Sequence, residues 1–291
     1  MKKLTYLCLL AVTVSMMAAC GASYKEKQAE RDSLNTEKMR KEKKALKIAV
    51  LPTMDCLPVW VAVDAGYFKD IPDSFLVKPL KSQIDIEHAL LDKSVDVGAS
   101  DTMRIDFVNS KEPLLAAMGN TELYWLLITN KGTRVSDPKN LGDKLVAMTR
   151  YSATDWLTDQ VLAAHPSSAT TFKIQVNDVE IRLQMLQNNA MDAMWLPEPQ
   201  ATMALMGGHK SIADSRKMKT YLSTFAMRTA DKEDARRNRQ VGVFVKGYNR
   251  ACDSLNKHGL KAYAPLLKEH LGVDEKTLPR LPKFKFGKIS N

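Results

Sequence analysis

Short apolar runs alternate with segments of helical periodicity over most of the chain from Leu46 onward. The predicted strands are LKIAVL (46–51), SFLVKPL (74–80), VDVGAS (95–100), EPLLAAMG (112–119), DKLVAMT (143–149), FKIQVN (172–177) and AMDAMWLP (190–197). The predicted helices cover residues 58–68, 85–93, 102–110, 152–164, 178–189, 198–206 and 231–270. This alternation predicts the α/β class, with mostly parallel sheets that are flanked by helices on both faces.

Two stretches of the chain resemble each other. ALLDKSVDVGASD (89–101) and QMLQNNAMDAMWLP (184–197) both run from a helix through a polar turn into a strand that begins around an aspartate. Leu90 matches Leu186 and Asp96 matches Asp192, and both pairs are 96 residues apart. The echo suits two similar α/β lobes, each of the size of a small domain.

The N-terminus has the features of a secretory signal. Lys2 and Lys3 precede a mostly apolar stretch that is too short for a bilayer span, and MAAC at 17–20 resembles a bacterial lipobox. We expect a signal peptide over 1–19, lipid on Cys20 and a polar tether over 20–45, which would anchor the protein in the cell envelope facing the periplasm or the exterior. Ordinary signal cleavage, with Cys20 incidental, is the alternative.

Charge and motifs bound the chemistry. The formal net charge is +10, but acidic and basic residues alternate in segments such as ADKEDARRNRQ (230–240), which favours solvated helix faces over a nucleic-acid surface. The five histidines form no HxxxH or HExxH pair, and no CxxC, GxSxG, Walker A or GxGxxG motif occurs. We therefore predict no catalytic residues, metal or cofactor. A disulfide between Cys56 and Cys252 is allowed in an exported protein, but nothing in the sequence requires it.

Polar loops follow the predicted strands. In an open parallel sheet, ligands bind beyond the carboxyl ends of the strands, where the next helix presents free N–H groups. The candidate ligand-binding residues on these loops are Thr53, Met54, Asp55, Ser100, Asp101, Thr102, Arg150, Ser152, Ala153, Thr154, Asn177, Trp195 and Glu198.

Several candidates have a second, structural interpretation. Ser152 and Asp155 fit a capping box, so Ser152 either caps its helix, contacts a ligand, or does both. Arg150 is a ligand contact for an anionic group or a surface cation. Trp195 is either a stacking wall in the cleft or a core residue. The loop acids contact a ligand with cationic or donor groups, or are simply solvated.

Four segments resemble, in order, a family of bacterial periplasmic solute-binding proteins for nitrate, alkanesulfonates and thiamine precursors. They are IAVLPTMDCLPVWVAVDAGYFKD (48–70), VDVGASD (95–101), NLGDKLVAMTRYSATDWLTDQVL (140–162) and EIRLQMLQNNAMDAMWLPEPQATM (180–203). The resemblance implies a two-lobed type II periplasmic binding fold with two crossover strands as its hinge. The cysteine-rich motif of the related pyrimidine-precursor synthases is absent from the sequence.

The resemblance implies a receptor for an ABC importer. We expect lobe 1 to span 46–125 and 223–291, lobe 2 to span 126–222, and the hinge to lie near 121–130 and 219–229. The predicted function is a lipid-tethered, monomeric receptor that captures a small polar or anionic organic molecule between its lobes and delivers it to the importer's permease. The alternatives are an enzyme on the same fold, as in the menaquinone pathway, and a lipoprotein that senses a ligand.

Overall fold

The computed structural model describes residues 24–218 and 220–290, so the predicted signal peptide and Cys20 lie outside the described residues. Contacts divide the chain between Ala45 and Leu46. The first unit contains helix α1, Tyr24–Lys44, in which Glu, Lys, Gln and Arg give high helix propensity and no apolar face forms. Among the described helices, none is both long and apolar enough to cross a membrane.

The second unit, from Leu46 onward, contains ten strands in two sheets. The strands are β1 Leu46–Val50, β2 Phe75–Pro79, β3 Val97–Asp101, β4 Leu115–Ala117, β5 Trp125–Thr129, β6 Leu145–Met148, β7 Phe172–Gln175, β8 Ala193–Pro197, β9 Lys210–Asp214 and β10 Ser223–Arg228. The α-helices are α2 Leu57–Asp64, α3 Gln83–Leu91, α4 Thr102–Val108, α5 Ala153–Ala164, α6 Val179–Gln187, α7 Gln200–Met206, α8 Ala235–His258 and α9 Ala264–Leu271.

Each sheet forms one lobe, and the two sheets have equivalent topologies. The first sheet has the order β2-β1-β3-β10-β4 and the second has the order β7-β6-β8-β5-β9. In the first sheet β10 is antiparallel to both neighbours, and in the second β5 is. In each sheet four strands therefore run in one direction and the fifth, β10 or β5, runs against them. The sheets are mixed, and the predicted α/β class with two lobes is confirmed.

The chain passes between the sheets twice, along 118–124 and 215–222. The first connection is irregular, and the second contains the 3-10 helix Ser215–Met218. The predicted hinge segments overlap these connections only in part, because Trp125–Thr129 and Ser223–Arg228 are already strands of a sheet. The edge strand Lys210–Asp214 was not predicted, since its sequence KSIAD carries too few apolar residues to stand out.

The echo between the two halves has a shared structural role. The Asp96 carboxylate accepts the N–H of Lys47 at 2.8 Å, and the Asp192 carboxylate accepts the N–H of Leu145 at 2.8 Å. Lys47 lies in β1 and Leu145 begins β6, which are equivalent strands of the two sheets. Each aspartate directly precedes the central strand of its sheet, β3 or β8, and thus fastens the start of the neighbouring strand to it.

Two glycines explain local features of the core. Gly98 lies on β3 where α3 packs on the sheet, and a Cβ there would meet the Ile86 side chain at 2.2 Å. Gly259, at φ 74°, ends the long helix α8, which splits the predicted helical stretch 231–270 into α8 and α9. The C-terminal segment returns to the first crossing, where Ile289 pairs with Gly119.

Both cysteines of the second unit are buried thiols. Cys56 accepts the Leu51 N–H at 3.3 Å, and the Cys252 thiol donates to the Gly287 carbonyl at 3.4 Å. Burial raises the pKa of both thiols, that of Cys252 to about 12. The allowed disulfide between them is not formed.

Candidate functional site

A small cavity lies between the lobes, beyond the carboxyl ends of their strands. It has a volume of about 30 Å³, and we call it the inner cavity. It is lined by Leu51, Thr53, Lys81, Ser82, Gln83, Leu123, Trp125, Thr149, Thr154, Asn177, Val179, Arg182 and Pro197. Among these described residues two are basic and none is acidic. Of the predicted residues, Thr53, Thr154 and Asn177 line this cavity.

Arg182 is the charged group that distinguishes the inner cavity. Its side chain lies in α6 and is only 3% exposed. Its Nε donates to the Val176 carbonyl at 2.6 Å, its Nη1 to the Trp195 carbonyl at 3.1 Å and its Nη2 to the Thr149 hydroxyl at 2.5 Å. A guanidinium has five N–H donors, so these three bonds leave two donors available.

No carboxylate within the described ranges lies within 4.0 Å of the Arg182 guanidinium. Burial lowers the pKa of Arg182 to about 10 and outweighs the opposite effect of the Asp178 charge, which raises it. Arg182 is therefore still charged at neutral pH. A buried cation without a paired anion is costly, which makes an anionic ligand the natural complement of this site.

Local structure explains how Arg182 reaches the cavity. Asp178 caps α6 by accepting the N–H groups of Glu180 and Ile181, so the helix begins directly after the β7 strand end and Asn177. The buried positions of α6 are Val179, Arg182, Leu183 and Leu186. This spacing of three and four residues is that of an apolar helix face. An arginine on such a face was the available sequence signal, but a prediction restricted to the loops at strand ends leaves out a residue inside a helix.

The start of α5 borders the same cavity. Ser152 is its N-cap and accepts the Thr154 N–H at 3.1 Å, as the capping interpretation predicted. The Thr154 hydroxyl accepts the Thr149 N–H at 3.0 Å. Asp155 accepts the N–H of Tyr151 at 2.8 Å, so the reciprocal half of a capping box is displaced by one residue. The helix end adds a positive electrostatic potential near Arg182.

Asp101 approaches this helix start from lobe 1. It is fully buried and caps α4 by accepting the Arg104 N–H at 2.8 Å. Its second oxygen, Oδ2, has no hydrogen-bond partner among the described residues, although the Ala153 N–H of lobe 2 lies near enough to favour the charged form. Burial nevertheless dominates and raises the pKa of Asp101 to about 6. Its neighbour Ser100 is buried beside it, and Thr102 is half-buried with its N–H bonded to the Leu222 carbonyl.

Two predicted acidic residues, Asp55 and Glu198, accept hydrogen bonds from other residues of the protein. Asp55 accepts the hydroxyls of Thr53 and Thr121, at 2.6 and 3.2 Å. Glu198 accepts the Tyr124 hydroxyl and the Thr202 N–H, each at 3.1 Å. Burial raises the pKa of both carboxyl groups.

Trp195 and Arg150 also lie away from the cavity surface. Trp195 is wholly buried inside lobe 2, where its indole N–H donates to Thr158 at 2.9 Å. This placement offers no ring face to a ligand and matches the core interpretation. The Arg150 side chain is exposed, and its backbone carbonyl accepts a bond from Arg104 at 2.9 Å.

Direct contacts hold the lobes together around the inner cavity. The Met54 N–H donates to the Glu198 carbonyl at 3.0 Å, and the Gln200 amide donates to the Pro52 carbonyl at 2.7 Å. The rings of Phe107 and Tyr151 stack at 4.2 Å with an angle of 4° between their planes. The two lobes are therefore closed against each other, which accounts for the small volume of the inner cavity.

A second cavity, of about 270 Å³, adjoins the inner cavity, and we call it the outer cavity. It shares Leu51 and Lys81 with the inner cavity. Its other lining residues are Val50, Pro52, Trp60, Pro79, Leu80, Glu180, Glu269 and His270. None of these residues was predicted from the sequence, because the outer cavity is assembled from α2, α6, α9 and the ends of two strands.

A groove of about 740 Å³ lies within lobe 2 alone, between α5 and β9, and includes Trp156, His165 and Lys217. It is larger than the cavities between the lobes, but its arginine, Arg216, already pairs with Asp214 at 2.6 Å. We favour the inner cavity as the functional site, because it holds the buried charge that lacks a partner.

Comparison with known proteins gives structural matches only. No family model and no curated protein matches the chain. A ligand-binding component of an ABC-type import system from Staphylococcus aureus, with zinc bound, superposes with a TM-score of 0.70 at 14% identity, over 84% of this chain and 86% of that one. The alkanesulfonate-binding protein SsuA from Xanthomonas axonopodis pv. citri, bound to MOPS, gives a TM-score of 0.71 at 15% identity, over 84% and 86%.

A Candida albicans protein, CA3427, described as exhibiting the generic periplasmic binding protein fold, gives a TM-score of 0.64 at 14% identity, over 81% of this chain and 79% of that one. The chain has the periplasmic binding protein fold. In this fold the inner cavity of the present protein lies where the two lobes face each other. Structural matches at identities this low establish the fold alone, so the ligand has to be inferred from this chain's own residues. Within the described ranges, no group of three or more His, Cys, Asp or Glu side chains could hold a metal ion.

Proposed function

We propose that this protein is a solute-binding receptor that captures a small anionic molecule between its lobes and delivers it to an ABC importer. The observation that carries the proposal is the buried, unpaired Arg182 on the wall of the inner cavity. The start of α5 lies on the same wall and favours negative charge. The hydroxyl groups of Thr149 and Thr154 also line this wall and can form hydrogen bonds.

The structural neighbours support a binding role over catalysis. The Staphylococcus protein is part of an import system, and the Xanthomonas protein binds an organic sulfonate. Transfer of a ligand to a permease requires that the lobes open and close, and the two connections at 118–124 and 215–222 are the segments about which they would move.

Native mass spectrometry of protein purified without refolding tests the proposal. We expect a non-covalently bound small anion on the wild type and its loss in Arg182→Gln, which removes the charge but retains a side-chain N–H donor. Retention of the same ligand by Arg182→Gln would overturn the assignment. Lys257→Gln, an exposed change on the last turn of α8, serves as the matched control for loss of one positive charge.

The proposal includes a lipid anchor on Cys20, with the polar segment 20–45 as a tether that keeps the monomeric receptor near the permease. The lipobox-like MAAC at 17–20 is what supports it. Cys20→Ser should leave the protein unlipidated and released from membranes. A variant that stays membrane-bound with unchanged mass would contradict the anchor and leave the binding role unaffected.

A further inference from the structure

The inner cavity is too small for a whole organic molecule. Its volume of about 30 Å³ lies far below the roughly 300–1,000 Å³ of typical ligand pockets. It has room for little more than one small group, such as the oxygens of a carboxylate or sulfonate. The outer cavity, at about 270 Å³, is close to the lower end of the typical range. The two cavities share Leu51 and Lys81 as lining residues, so they lie side by side.

The outer cavity has a mostly apolar wall. The indole of Trp60 stacks on the imidazole of His270, with ring centroids 3.7 Å apart and 5° between the planes. Pro52, Pro79 and Leu80 continue this surface. Burial lowers the pKa of His270, so the imidazole is neutral at neutral pH and the wall carries no charge there. Such a wall suits a planar or apolar body.

The charged residues around the outer cavity favour a ligand whose body carries no second negative charge. Lys81 stands at the boundary with the inner cavity, whereas Glu180 and Glu269 line the outer cavity from lobe 2 and from α9. Both glutamates are exposed. A second negative charge on the ligand body would face these carboxylates, while a neutral body would not.

We infer that the ligand is an organic monoanion whose charged group lies in the inner cavity beside Arg182 and whose planar, apolar body lies in the outer cavity against Trp60. This inference rests on the proposed binding role and adds to it. It distinguishes this receptor from one for an inorganic oxyanion, which would fill the inner cavity alone.

The test is a calorimetric comparison of matched anions: acetate with benzoate, and methanesulfonate with benzenesulfonate. Phthalate adds a second charge to the benzoate body. For the wild type we expect the phenyl compounds to bind about tenfold more tightly than their methyl counterparts, and benzoate more tightly than phthalate. Arg182→Gln should weaken all of them together.

Variants of Trp60 separate the contribution of the apolar wall from that of the charge. Trp60→Ala should abolish the tighter binding of the phenyl compounds relative to the methyl compounds, which we call the phenyl advantage. Trp60→Leu keeps an apolar side chain at this position, and urea unfolding of both variants shows whether either has a folding defect. Trp156→Ala, in the groove of lobe 2, is the matched control and should leave the advantage intact.

Each outcome decides one of the claims. Equal binding of methyl and phenyl compounds, unchanged in the Trp60 variants, overturns this inference; if Arg182→Gln still weakens binding, the proposed function stands. Binding that is indifferent to Arg182→Gln overturns the proposed function. Failure of every anion to bind overturns both, and phthalate binding as tightly as benzoate overturns the monoanion assignment.

Discussion

Two of the buried arginines, Arg104 of lobe 1 and Arg182 of lobe 2, differ in what surrounds their charge. Arg104 of lobe 1 donates from Nε and Nη2 to Glu87, with which it forms a buried ion pair, and from Nη1 to the Arg150 carbonyl of lobe 2. Arg182 of lobe 2 donates only to neutral oxygens of its own lobe. Both side chains are almost wholly buried.

The difference indicates two roles for the same residue type. Arg104 is charge-compensated within the protein, so its role is to hold α4, α3 and the facing lobe in place. Arg182 keeps an uncompensated charge beside a cavity, and such a group stabilises the protein less than it stabilises a bound anion. Under the proposed function, Arg104 of lobe 1 supplies structure at the lobe interface and Arg182 of lobe 2 supplies the buried charge for binding.

The largest expected effect comes from breaking the compensated pair. Glu87→Gln leaves the Arg104 charge buried without its partner, and we expect a loss of about 3–5 kcal/mol in the free energy of unfolding, measured with urea. Glu87→Leu combined with Arg104→Met removes both charges and should recover most of the loss. If Glu87→Gln is as stable as the wild type, the two arginines do not differ in the way proposed.

The next effect concerns Asp101, a carboxylate at the lobe interface that is not neutralised. Because folding raises its pKa from 3.8 to about 6, its ionisation destabilises the folded protein progressively as the pH rises through this interval. Asp101→Asn keeps the helix cap and removes the ionisation. We expect this variant to gain up to about 3 kcal/mol over the wild type at pH 7 and nothing at pH 3.

Urea unfolding at several pH values measures this difference between the two proteins. The comparison of variant with wild type cancels the other buried acids, Asp55 and Glu198, whose pKa values are also raised. A constant difference between variant and wild type across the range would show that Asp101 is not the group responsible.

Removal of the uncompensated charge should affect binding more than stability. Arg182→Gln should weaken anion binding by roughly 10- to 100-fold, since a charge-assisted hydrogen bond contributes about 1.5–3 kcal/mol. The unfolding free energy should change less than in Glu87→Gln, because the substitution leaves no oppositely charged partner buried without its ion pair. A variant that unfolds as readily as Glu87→Gln would make Arg182 a structural residue like Arg104.

The smallest expected effect is on closure of the lobes. Phe107 and Tyr151 are both about half exposed, and their stacking across the interface contributes about 0.5–1.5 kcal/mol. Phe107→Ala should shift the population toward open lobes and give a larger radius in small-angle scattering. Leu205→Ala, an exposed change within lobe 2, is the control. An unchanged radius would mean that the stack does not contribute to closure.

Most of the fold followed from local patterns, whereas only Thr53, Thr154 and Asn177 of the inner-cavity lining were predicted. Apolar runs and helical periodicity depend on neighbouring residues, and the repeated Asp96 and Asp192 showed that the lobes are related. The Ser152 cap was likewise predictable, because the hydrogen bonds of a cap span only a few residues.

Side-chain direction at the site depends on contacts that are distant in sequence. Trp195 sits on a central strand with helices on both faces, so either direction would have buried it. Asp55 accepts a hydrogen bond from Thr121, and Glu198 accepts one from Tyr124, because packing at the connection between the lobes brings these distant residues together. Arg182 faces the cavity only because α6 packs beside the end of β6 and the middle of β8.

The most direct test of the role of Arg182 is anomalous diffraction from crystals soaked in bromide, a small anion that needs no knowledge of the natural ligand. We predict a bromide peak in the inner cavity within hydrogen-bonding distance of the Arg182 guanidinium, and its absence in crystals of Arg182→Gln. Bromide that occupies surface sites but not the inner cavity would contradict a binding role for this charge, as would an inner-cavity peak that persists without Arg182.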